Sequence, residues 1–157
     1  MHESVLHVIA KYPNICKHIH LPVQSGSNRI LKEMNRLHTR EEYMTLIDKI
    51  RTIIPNASIS QDMIAGFPTE TEEDHQDTMS LMEYVKYNFG YMYSYSERPG
   101  TLAGRKMEDD VPEETKARRL QEIVDLQQKH AWFRSEEYVG QVVEVLVEKV
   151  SKKSKEE

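Results

Sequence analysis

Apolar side chains recur along the chain with two different spacings, and the spacing changes at turn residues. Apolar residues stand at every second position from 19 to 23, which is the period of a β-strand. A polar turn follows, and Ser27 is placed to cap a short helix. Thr39–Glu42 has the pattern of a capping box, so a longer helix is predicted to begin there. Its apolar positions have helical spacing: Tyr43, Leu46, Ile47, Ile50, Ile53 and Ile54.

The order of strand, loop and helix then repeats. Residues Ala57–Ile64 predict a second strand, Gly66–Glu70 a loop, and Thr71 with Asp74 the start of a second long helix. Tyr91–Ser96 predicts a third strand. Strands that alternate with helices are typical of α/β folds with a parallel sheet, either open or closed into a barrel. Because three strands cannot close a barrel, we expect this sheet to be part of a larger one.

The sequence changes character after residue 110. A long amphipathic helix is predicted first, with Gly140 beyond its end. Residues 141–150 are rich in valine and predict one further strand, which is too little for a sheet of its own. We therefore divide the chain into a βα region at 1–110, a connecting helix at 111–137 and an incomplete β-domain at 138–157. The predicted buried stripe of the helix is Leu120, Ile123, Val124, Gln127 and Ala131.

Charge and composition exclude several classes of protein. The 157 residues include 26 acidic and 21 basic side chains, a formal net charge of -5, which argues against RNA binding by bulk electrostatics. The lysines between positions 149 and 155 are either a basic tail that reaches a phosphate backbone or a solvated chain end. The chain has no long apolar run and no basic leader, so we expect a cytoplasmic protein without membrane contact.

The sequence contains one cysteine, Cys16. One thiolate cannot form an internal disulfide, and it supplies too few ligands for an iron–sulfur cluster or a structural zinc site. His18 and His20 stand close by, so a metal site with Cys16 is an alternative. Alternation along a strand explains both histidines without a metal ion. We therefore predict no metal ligand and no catalytic residue in this chain.

Polar side chains stand near the ends of the first two predicted strands. Gln24 follows the first strand, Asp62 lies near the end of the second, and Arg36 follows the short helix. The carboxyl ends of parallel strands open onto one face, so we expect these three side chains to meet. An amide, a guanidinium and a carboxylate suit a zwitterionic ligand that carries hydroxyl groups. From spacing alone, a loop-capping Asp62 and a surface Arg36 remain the alternative.

The third predicted strand carries tyrosines at positions 91, 93 and 95. They could stack against a base, as aromatic side chains on sheets do in RNA-binding proteins. They could equally face a barrel interior, with their hydroxyl groups paired to neighbours. The turn Gly66–Pro68 also has two interpretations, a turn that faces a ligand or one that only shapes its loop.

Several segments with characteristic sequences stand in a fixed order along the chain. They are His20–Ser27 (HLPVQSGS), Met34–Arg36 with Thr39–Tyr43, Asp62–Thr71 (DMIAGFPTET) and Tyr95–Thr101 (YSERPGT). Together they resemble the radical S-adenosylmethionine methylthiotransferase family over nearly the whole chain. The first and last segments are most similar to the branch that acts on dimethylallyladenosine in tRNA. The branch that modifies ribosomal protein S12 usually has a histidine at the position of Ser25.

The resemblance implies a fold, a reaction and a set of cofactors. The fold is the C-terminal part of a radical-SAM partial TIM barrel with about three βα units, then a long helix and the first strand of a TRAM domain. The reaction adds a methylthio group to C2 of N6-isopentenyladenosine next to the tRNA anticodon. Its cofactors are S-adenosylmethionine and two [4Fe–4S] clusters. The cofactor contacts implied by the family are Gln24, Ser25, Arg36 and Asp62.

The chain also departs from the family pattern. The Cys-x-x-x-Cys-x-x-Cys motif that binds the radical-generating cluster is absent, as are the three cysteines of the preceding domain. We therefore expect this chain alone to be an inactive fragment of the enzyme. The implied partners are tRNA and a reductant such as flavodoxin or ferredoxin, and open strand edges favour a dimer of the fragment.

Two other functions stay open at this point. The enzyme could act on ribosomal protein S12 or on another tRNA adenosine. A different class of function is a non-catalytic RNA-binding module that uses the tyrosine row and the lysine tail.

Overall fold

Helices and strands alternate along the chain in a computed structural model, which describes residues 2–98 and 100–147. None of the helices in these ranges is long and apolar enough to cross a lipid bilayer. The elements are α1 (Glu3–Lys11), β1 (His18–His20), α2 (Asn28–Glu33), α3 (Arg40–Ile53), β2 (Ser58–Ala65), α4 (Glu72–Val85), β3 (Phe89–Ser94), α5 (Leu102–Lys106) and α6 (Glu113–Glu136).

The three strands form one parallel sheet in the order β1-β2-β3. Ile19 of β1 aligns with Ile59 of β2, and Asp62 of β2 aligns with Tyr91 of β3. Parallel neighbours cannot be joined by a tight hairpin, and each connection here includes a helix. The predicted α/β architecture with βα units on a parallel sheet is confirmed.

The two faces of the sheet have different surroundings because strand side chains alternate in direction. On one face, Ile59 and Met63 of β2 belong to the hydrophobic core with side chains of α3, α4 and α6: Ile47, Ile50, Leu81, Met82, Val85, Ile123 and Leu126. We call the opposite side the inner face. Its residues, from the strand register, are His18, His20, Ser58, Ser60, Asp62, Ile64, Phe89, Tyr91 and Tyr93.

Capping residues begin the helices that follow the first two strands. The Thr39 hydroxyl accepts the Glu42 N–H at 3.2 Å, and the Glu42 carboxylate accepts the Thr39 N–H at 2.9 Å. Thr71 and Asp74 form the same capping box at the start of α4, and Ser27 caps α2. All three predicted helix starts are therefore confirmed, and they lie at the carboxyl-end side of the sheet.

The buried stripe of helix α6 agrees only in part with the predicted one, since Ile123 and Gln127 are buried as predicted. Leu120, Val124 and Ala131 are only partly buried. The buried residues are polar as well as apolar: Lys116, Arg119, Ile123, Leu126, Gln127 and His130. The apolar pattern missed two buried cationic side chains, which have acidic partners in the fold, and pairing makes their burial tolerable.

The third strand begins earlier and ends earlier than predicted. It spans Phe89–Ser94, because β2, its only neighbour in the described sheet, ends at Ala65. Tyr95 makes the last contact, with its N–H donating to the Ala65 carbonyl at 2.8 Å. Beyond that point the chain has no partner strand and leaves the sheet.

The strand predicted for residues 141–150 is absent from 141–147, and 148–150 lie outside the described residues. The apolar side chains of this segment are exposed, Val142 and Leu146 among them. High β-propensity is insufficient here because an isolated strand has no neighbour for its backbone hydrogen bonds. The assignment of residues 138–157 to a TRAM domain stays a prediction.

Candidate functional site

A cavity of about 470 Å³ opens at the carboxyl ends of the strands. Gln24, Arg36 and Asp62 all line it, so the three side chains meet as the strand order predicted. Apolar and aromatic side chains complete much of the wall: Met34, Ile64, Phe67, Tyr93 and Tyr95. The cavity therefore offers a charged and hydrogen-bonding side together with an aromatic side, which suits a ligand with both kinds of surface.

Gln24 has a left-handed backbone conformation, with φ at 71°. This conformation costs a residue with a Cβ roughly 1 kcal/mol or more. The Gln24 N–H donates to the Asp62 carbonyl at 2.9 Å, and the Gln24 carbonyl accepts the Ile64 N–H at 3.0 Å. These two bonds hold the residue against the end of β2, so the sheet imposes the strain.

Arg36 reaches the cavity from the loop after α2. Asn35 turns the chain with φ at 56°, a region that asparagine tolerates better than most residues. The Arg36 N–H then donates to the Leu31 carbonyl at 2.8 Å, and its guanidinium donates to the Gln24 side-chain oxygen. A guanidinium has five N–H donors, so most remain available to an anionic ligand group.

Asp62 lies on the inner face near the end of β2. Its side chain is 26% exposed, while its Oδ1 atom is buried and has no hydrogen-bond donor in the part of the chain that the structure describes. His20 Nε2 lies 3.5 Å from that oxygen. A carboxylate with unused acceptor capacity at a cavity wall can accept hydrogen bonds from ligand hydroxyl groups.

The loop between β2 and α4 is held by buried ion pairing with α6. Glu70 is buried, and its carboxylate accepts the Gly66 N–H at 2.8 Å and an Arg119 N–H at 3.0 Å. Burial raises the pKa of Glu70, although the Gly66 N–H and Arg119 act in the opposite direction. Gly66 has φ at 74°, and a Cβ there would lie 2.3 Å from Lys116 Cγ. The predicted loop thus has a conformation that only glycine fits easily.

Asp74 connects the starts of α2 and α4. Ser27 Oγ donates to its Oδ1 at 2.6 Å, the Thr71 N–H donates to its Oδ2 at 2.8 Å, and Arg29 forms an ion pair with it. Burial acts to raise the pKa of Asp74, but hydrogen bonds from Arg29, Ser27 and Thr71 outweigh burial and hold it well below its usual range. One ionised side chain thereby fixes two loops of the cavity relative to each other.

Ser25 is the predicted cofactor residue that the structure does not bring into the cavity wall. Its side chain is fully buried, its Oγ accepts the Ser27 N–H at 3.2 Å, and Thr78 Oγ1 lies 3.4 Å away. The side chain therefore stabilises the loop that carries Gln24.

Two aromatic side chains in the cavity wall, Phe67 and Tyr95, were not among the four predicted cofactor contacts, and the sequence left a ligand-facing role open for each. The rings of Phe67 and Tyr95 pack edge to face with centroids 5.2 Å apart, and Lys116 Nζ lies 5.8 Å from the Tyr95 centroid. Burial and the nearby carboxylates of Asp109 and Glu97 raise the pKa of Tyr95. The signal for these two residues is weak at the level of sequence, since Tyr95 continues the tyrosine alternation and Phe67 lies between the glycine and proline of the loop.

The tyrosine row divides between two environments. Tyr91 and Tyr93 lie on the inner face of β3 and are about half exposed, whereas Tyr95 lies beyond the strand. No hydrogen bond to either Tyr91 or Tyr93 hydroxyl occurs within the described residues. The described residues therefore do not form the hydroxyl pairing expected for a closed barrel interior.

The metal alternative at Cys16, His18 and His20 is not supported. Within residues 2–98 and 100–147, only Glu72, His75 and Glu122 bring three candidate ligand atoms together. His75 and Glu122 already pair at 2.7 Å, and both carboxylates also pair with Arg118. We interpret this group as an ion-pair network between α4 and α6, because the arginine already satisfies the carboxylates.

The fold and the cavity together define a class of protein. A parallel α/β sheet with an amide, a guanidinium and a carboxylate at its carboxyl ends is a ligand-binding part of an α/β barrel or open sheet. Residues 1–82 match the model of the Radical SAM superfamily. The chain belongs to this superfamily, as its motifs indicated.

Curated relatives and a solved structure agree with this family. The chain is 91% identical over all 157 residues to tRNA-2-methylthio-N(6)-dimethylallyladenosine synthase from Flavobacterium johnsoniae, and covers 33% of it. It is 51% identical to the protein of that name from Bacteroides fragilis, covering 34%. Coproporphyrinogen III oxidase from Escherichia coli, a radical SAM enzyme, matches 83% of the chain with a TM-score of 0.66 and 25% identity, over 30% of its own length. The chain spans about a third of the curated relatives it matches.

Proposed function

We propose that this chain is the S-adenosylmethionine-binding part of a tRNA methylthiotransferase. The whole enzyme would add a methylthio group to C2 of N6-isopentenyladenosine next to the anticodon. The observation that carries the proposal is the convergence of Gln24, Arg36 and Asp62 on one cavity in a chain 91% identical to a relative of that name. Action on ribosomal protein S12 or another tRNA adenosine is the alternative within the same class.

The cavity residues fit the chemistry of S-adenosylmethionine. The ligand has a carboxylate, a ribose with two hydroxyl groups and an adenine ring. In this proposal Arg36 binds the carboxylate, Asp62 accepts the ribose hydroxyl groups, and Gln24 bridges between them. Phe67 and Tyr95 supply apolar contact for the adenine, and Ser25 acts through the loop rather than by contact. The bound cofactor supplies the 5′-deoxyadenosyl group for radical chemistry.

The residues of this chain do not fit an iron–sulfur cluster. Cys16 is its only cysteine and is exposed, whereas such clusters are held by several thiolates. We therefore assign the two [4Fe–4S] clusters of the proposed enzyme to parts outside this sequence. In this scheme residues 1–110 are the C-terminal part of the barrel, 111–137 the connecting helix and 138–157 the start of a TRAM domain.

The proposed reaction also implies partners. The substrate is tRNA, and reductive cleavage of S-adenosylmethionine needs an electron donor such as flavodoxin or ferredoxin. A tRNA substrate favours the cytoplasm as the location. The free edges of β1 and β3 in the described sheet could pair in a dimer of this chain, and light scattering would detect such a dimer.

Calorimetric titration with S-adenosylhomocysteine tests the binding proposal. We expect binding by the chain, and a loss of about tenfold or more in affinity for Arg36→Ala and for Asp62→Asn. Lys129→Ala and Asp125→Asn remove comparable charges from the exposed side of α6 and are the controls. Unchanged affinity in both cavity variants would contradict the proposal.

The substrate is tested with the full-length enzyme. Mass spectrometry of digested tRNA should show methylthio formation on isopentenylated tRNA with the unmodified enzyme and little with Arg36→Ala. Modification of the ribosomal protein instead of tRNA would support the alternative substrate.

A further inference from the structure

A row of polar side chains crosses the inner face and ends at Asp62. Ser58 Oγ lies 3.1 Å from His18 Nδ1, and His18 Nε2 lies 3.0 Å from Ser60 Oγ. Ser60 Oγ lies 2.9 Å from His20 Nδ1, and His20 Nε2 lies 3.5 Å from Asp62 Oδ1. Only Asp62 lines the cavity, so the proposed ligand contacts leave the other four side chains unexplained.

The strand register produces this row. His18 aligns with Ser58 and His20 aligns with Ser60, and residues two apart on a strand point to the same face. Ser60 is buried at 2% exposure, which leaves little room for water to replace either histidine at its hydroxyl group. A change of register by one residue would turn the row to the helix-covered side.

The carboxylate at the end of the row fixes the direction of its hydrogen bonds. An ionised carboxylate only accepts, so His20 must donate from Nε2. A neutral imidazole with a proton on Nε2 accepts at Nδ1, so the Ser60 hydroxyl donates to His20. The Ser60 oxygen then accepts from His18 Nε2, and His18 Nδ1 accepts from Ser58. The opposite direction would place a lone pair of His20 against the carboxylate.

We propose that His20 is a positioning residue for Asp62. The His20 Nε2–H holds Oδ1, the buried oxygen that lacks another donor among the described residues, and leaves Oδ2 for ligand hydroxyl groups. The carboxylate selects the His20 tautomer, and Ser60 and His18 complete the row of hydrogen bonds that this tautomer requires. The separation of 3.5 Å is long, and hydrogen bonds in unliganded sites commonly tighten when the ligand binds. The ligand part of this inference rests on the proposed function, whereas the tautomer part does not.

Nitrogen-15 NMR of the histidine rings in the full chain tests the tautomer. At a pH where the rings are neutral, we expect the proton on Nε2 of both His20 and His18. In Asp62→Asn the side-chain amide can donate, so the preference of the His20 proton for Nε2 should weaken. His7 is exposed like these two histidines but lies on α1, outside the row, and serves as the internal control. A His20 that carries its proton on Nδ1 would overturn the proposal.

Ligand discrimination tests the effect of His20 on Asp62. Adenosine and 2′,3′-dideoxyadenosine differ only in the hydroxyl groups, so the ratio of their affinities reports on Asp62. We expect His20→Ala to reduce this ratio by about tenfold and to leave the affinity for dideoxyadenosine nearly unchanged. His20→Gln places an amide N–H near the position of Nε2, and it should restore most of the ratio.

Controls separate positioning from a structural effect. His7→Ala should leave both affinities unchanged. An equal loss of both affinities in His20→Ala, without rescue by His20→Gln, would contradict positioning. If His20→Ala does not fold, His20→Gln and Asp62→Asn carry the comparison. If the unmodified chain does not bind S-adenosylhomocysteine, the proposed function fails along with the ligand part, and the NMR result still decides the tautomer.

Discussion

The left-handed backbone of Gln24 makes a glycine substitution informative. Glycine adopts this conformation without a Cβ contact, so we expect Gln24→Gly to raise the free energy of unfolding by about 0.5–1 kcal/mol. Ligand affinity should fall because the amide is lost. Gln24→Ala loses the same amide but keeps the Cβ, so it should not be stabilised. Equal urea unfolding of the two variants would show that the conformation is not strained.

The carboxylate of Asp74 should make stability depend on pH. Its pKa in the folded chain lies below the value near 4 of an unfolded aspartate, so ionisation stabilises the fold above about pH 4. This stabilisation is lost as the pH falls further. We expect Asp74→Asn to lower the free energy of unfolding by about 2 kcal/mol at pH 7. Below pH 4, the free energy of unfolding measured with urea should fall less steeply in this variant than in the unmodified chain. An identical decline in both proteins would assign the acid sensitivity elsewhere.

The residue types in the sequence predicted which chemical groups line the cavity, but they did not predict how the loops that carry these groups are held. Gln24, Arg36 and Asp62 could be placed because each follows or ends a predicted element, and parallel strands bring such positions together. The contact between Ser27 and Asp74 could not be predicted, because it joins two helix starts that local patterns treat separately. Ser25 shows the converse, since this motif position next to Gln24 has a buried side chain that lies near Thr78 and does not line the cavity.

At the scale of elements, two glycines allow the cost of a left-handed backbone to be separated from the cost of a steric clash. Both have a positive φ, but only one of them packs against a helix. A Cβ at Gly66 would lie 2.3 Å from Lys116 Cγ, whereas a Cβ at Gly100 would meet no atom within 4 Å among the described residues other than its chain neighbours. Alanine at either site takes on the left-handed strain. We expect Gly66→Ala to cost about 1–2 kcal/mol more than Gly100→Ala in chemical unfolding. Equal costs would mean that α6 can move away from the loop.

Periodicity predicted the elements better than it predicted which sides they bury. The starts of α3 and α4 are marked by capping residues that are local in sequence, and both starts were predicted correctly. The predicted stripe of α6 was correct at Ile123 and Gln127 but missed Lys116 and Arg119. These two cations look like surface residues until their acidic partners in loops outside the helix are known. The predicted end of β3 was wrong for a related reason, since the length of a strand depends on the length of the strand that pairs with it.

Across the whole molecule, stability should depend on the helix-covered core and not on the valine-rich segment. Val142 is fully exposed, whereas Val85 is fully buried. We expect Val142→Ser to change the free energy of unfolding by less than about 0.5 kcal/mol and Val85→Ala to lower it by about 2 kcal/mol. Thermal and urea unfolding measure both. A large loss in Val142→Ser would show that this segment packs against the rest of the chain.

The overall architecture was predictable because alternating strands and helices allow few arrangements. Right-handed connections between parallel strands favour one simple order, and β1, β2 and β3 lie in that order. The valine-rich segment was not predictable by the same logic, because a strand needs neighbours that local sequence does not specify.

The position of the cavity residues along the chain bears on how the protein folds. Gln24, Arg36 and Asp62 all come from β1, β2 and the segment between them, and the backbone bonds that hold Gln24 go to β2. Pairing of the first two strands is therefore enough to bring the three groups together. We expect this part to form in an early folding unit, with β3 and α6 adding the aromatic wall afterwards. Hydrogen exchange during refolding would reveal that order.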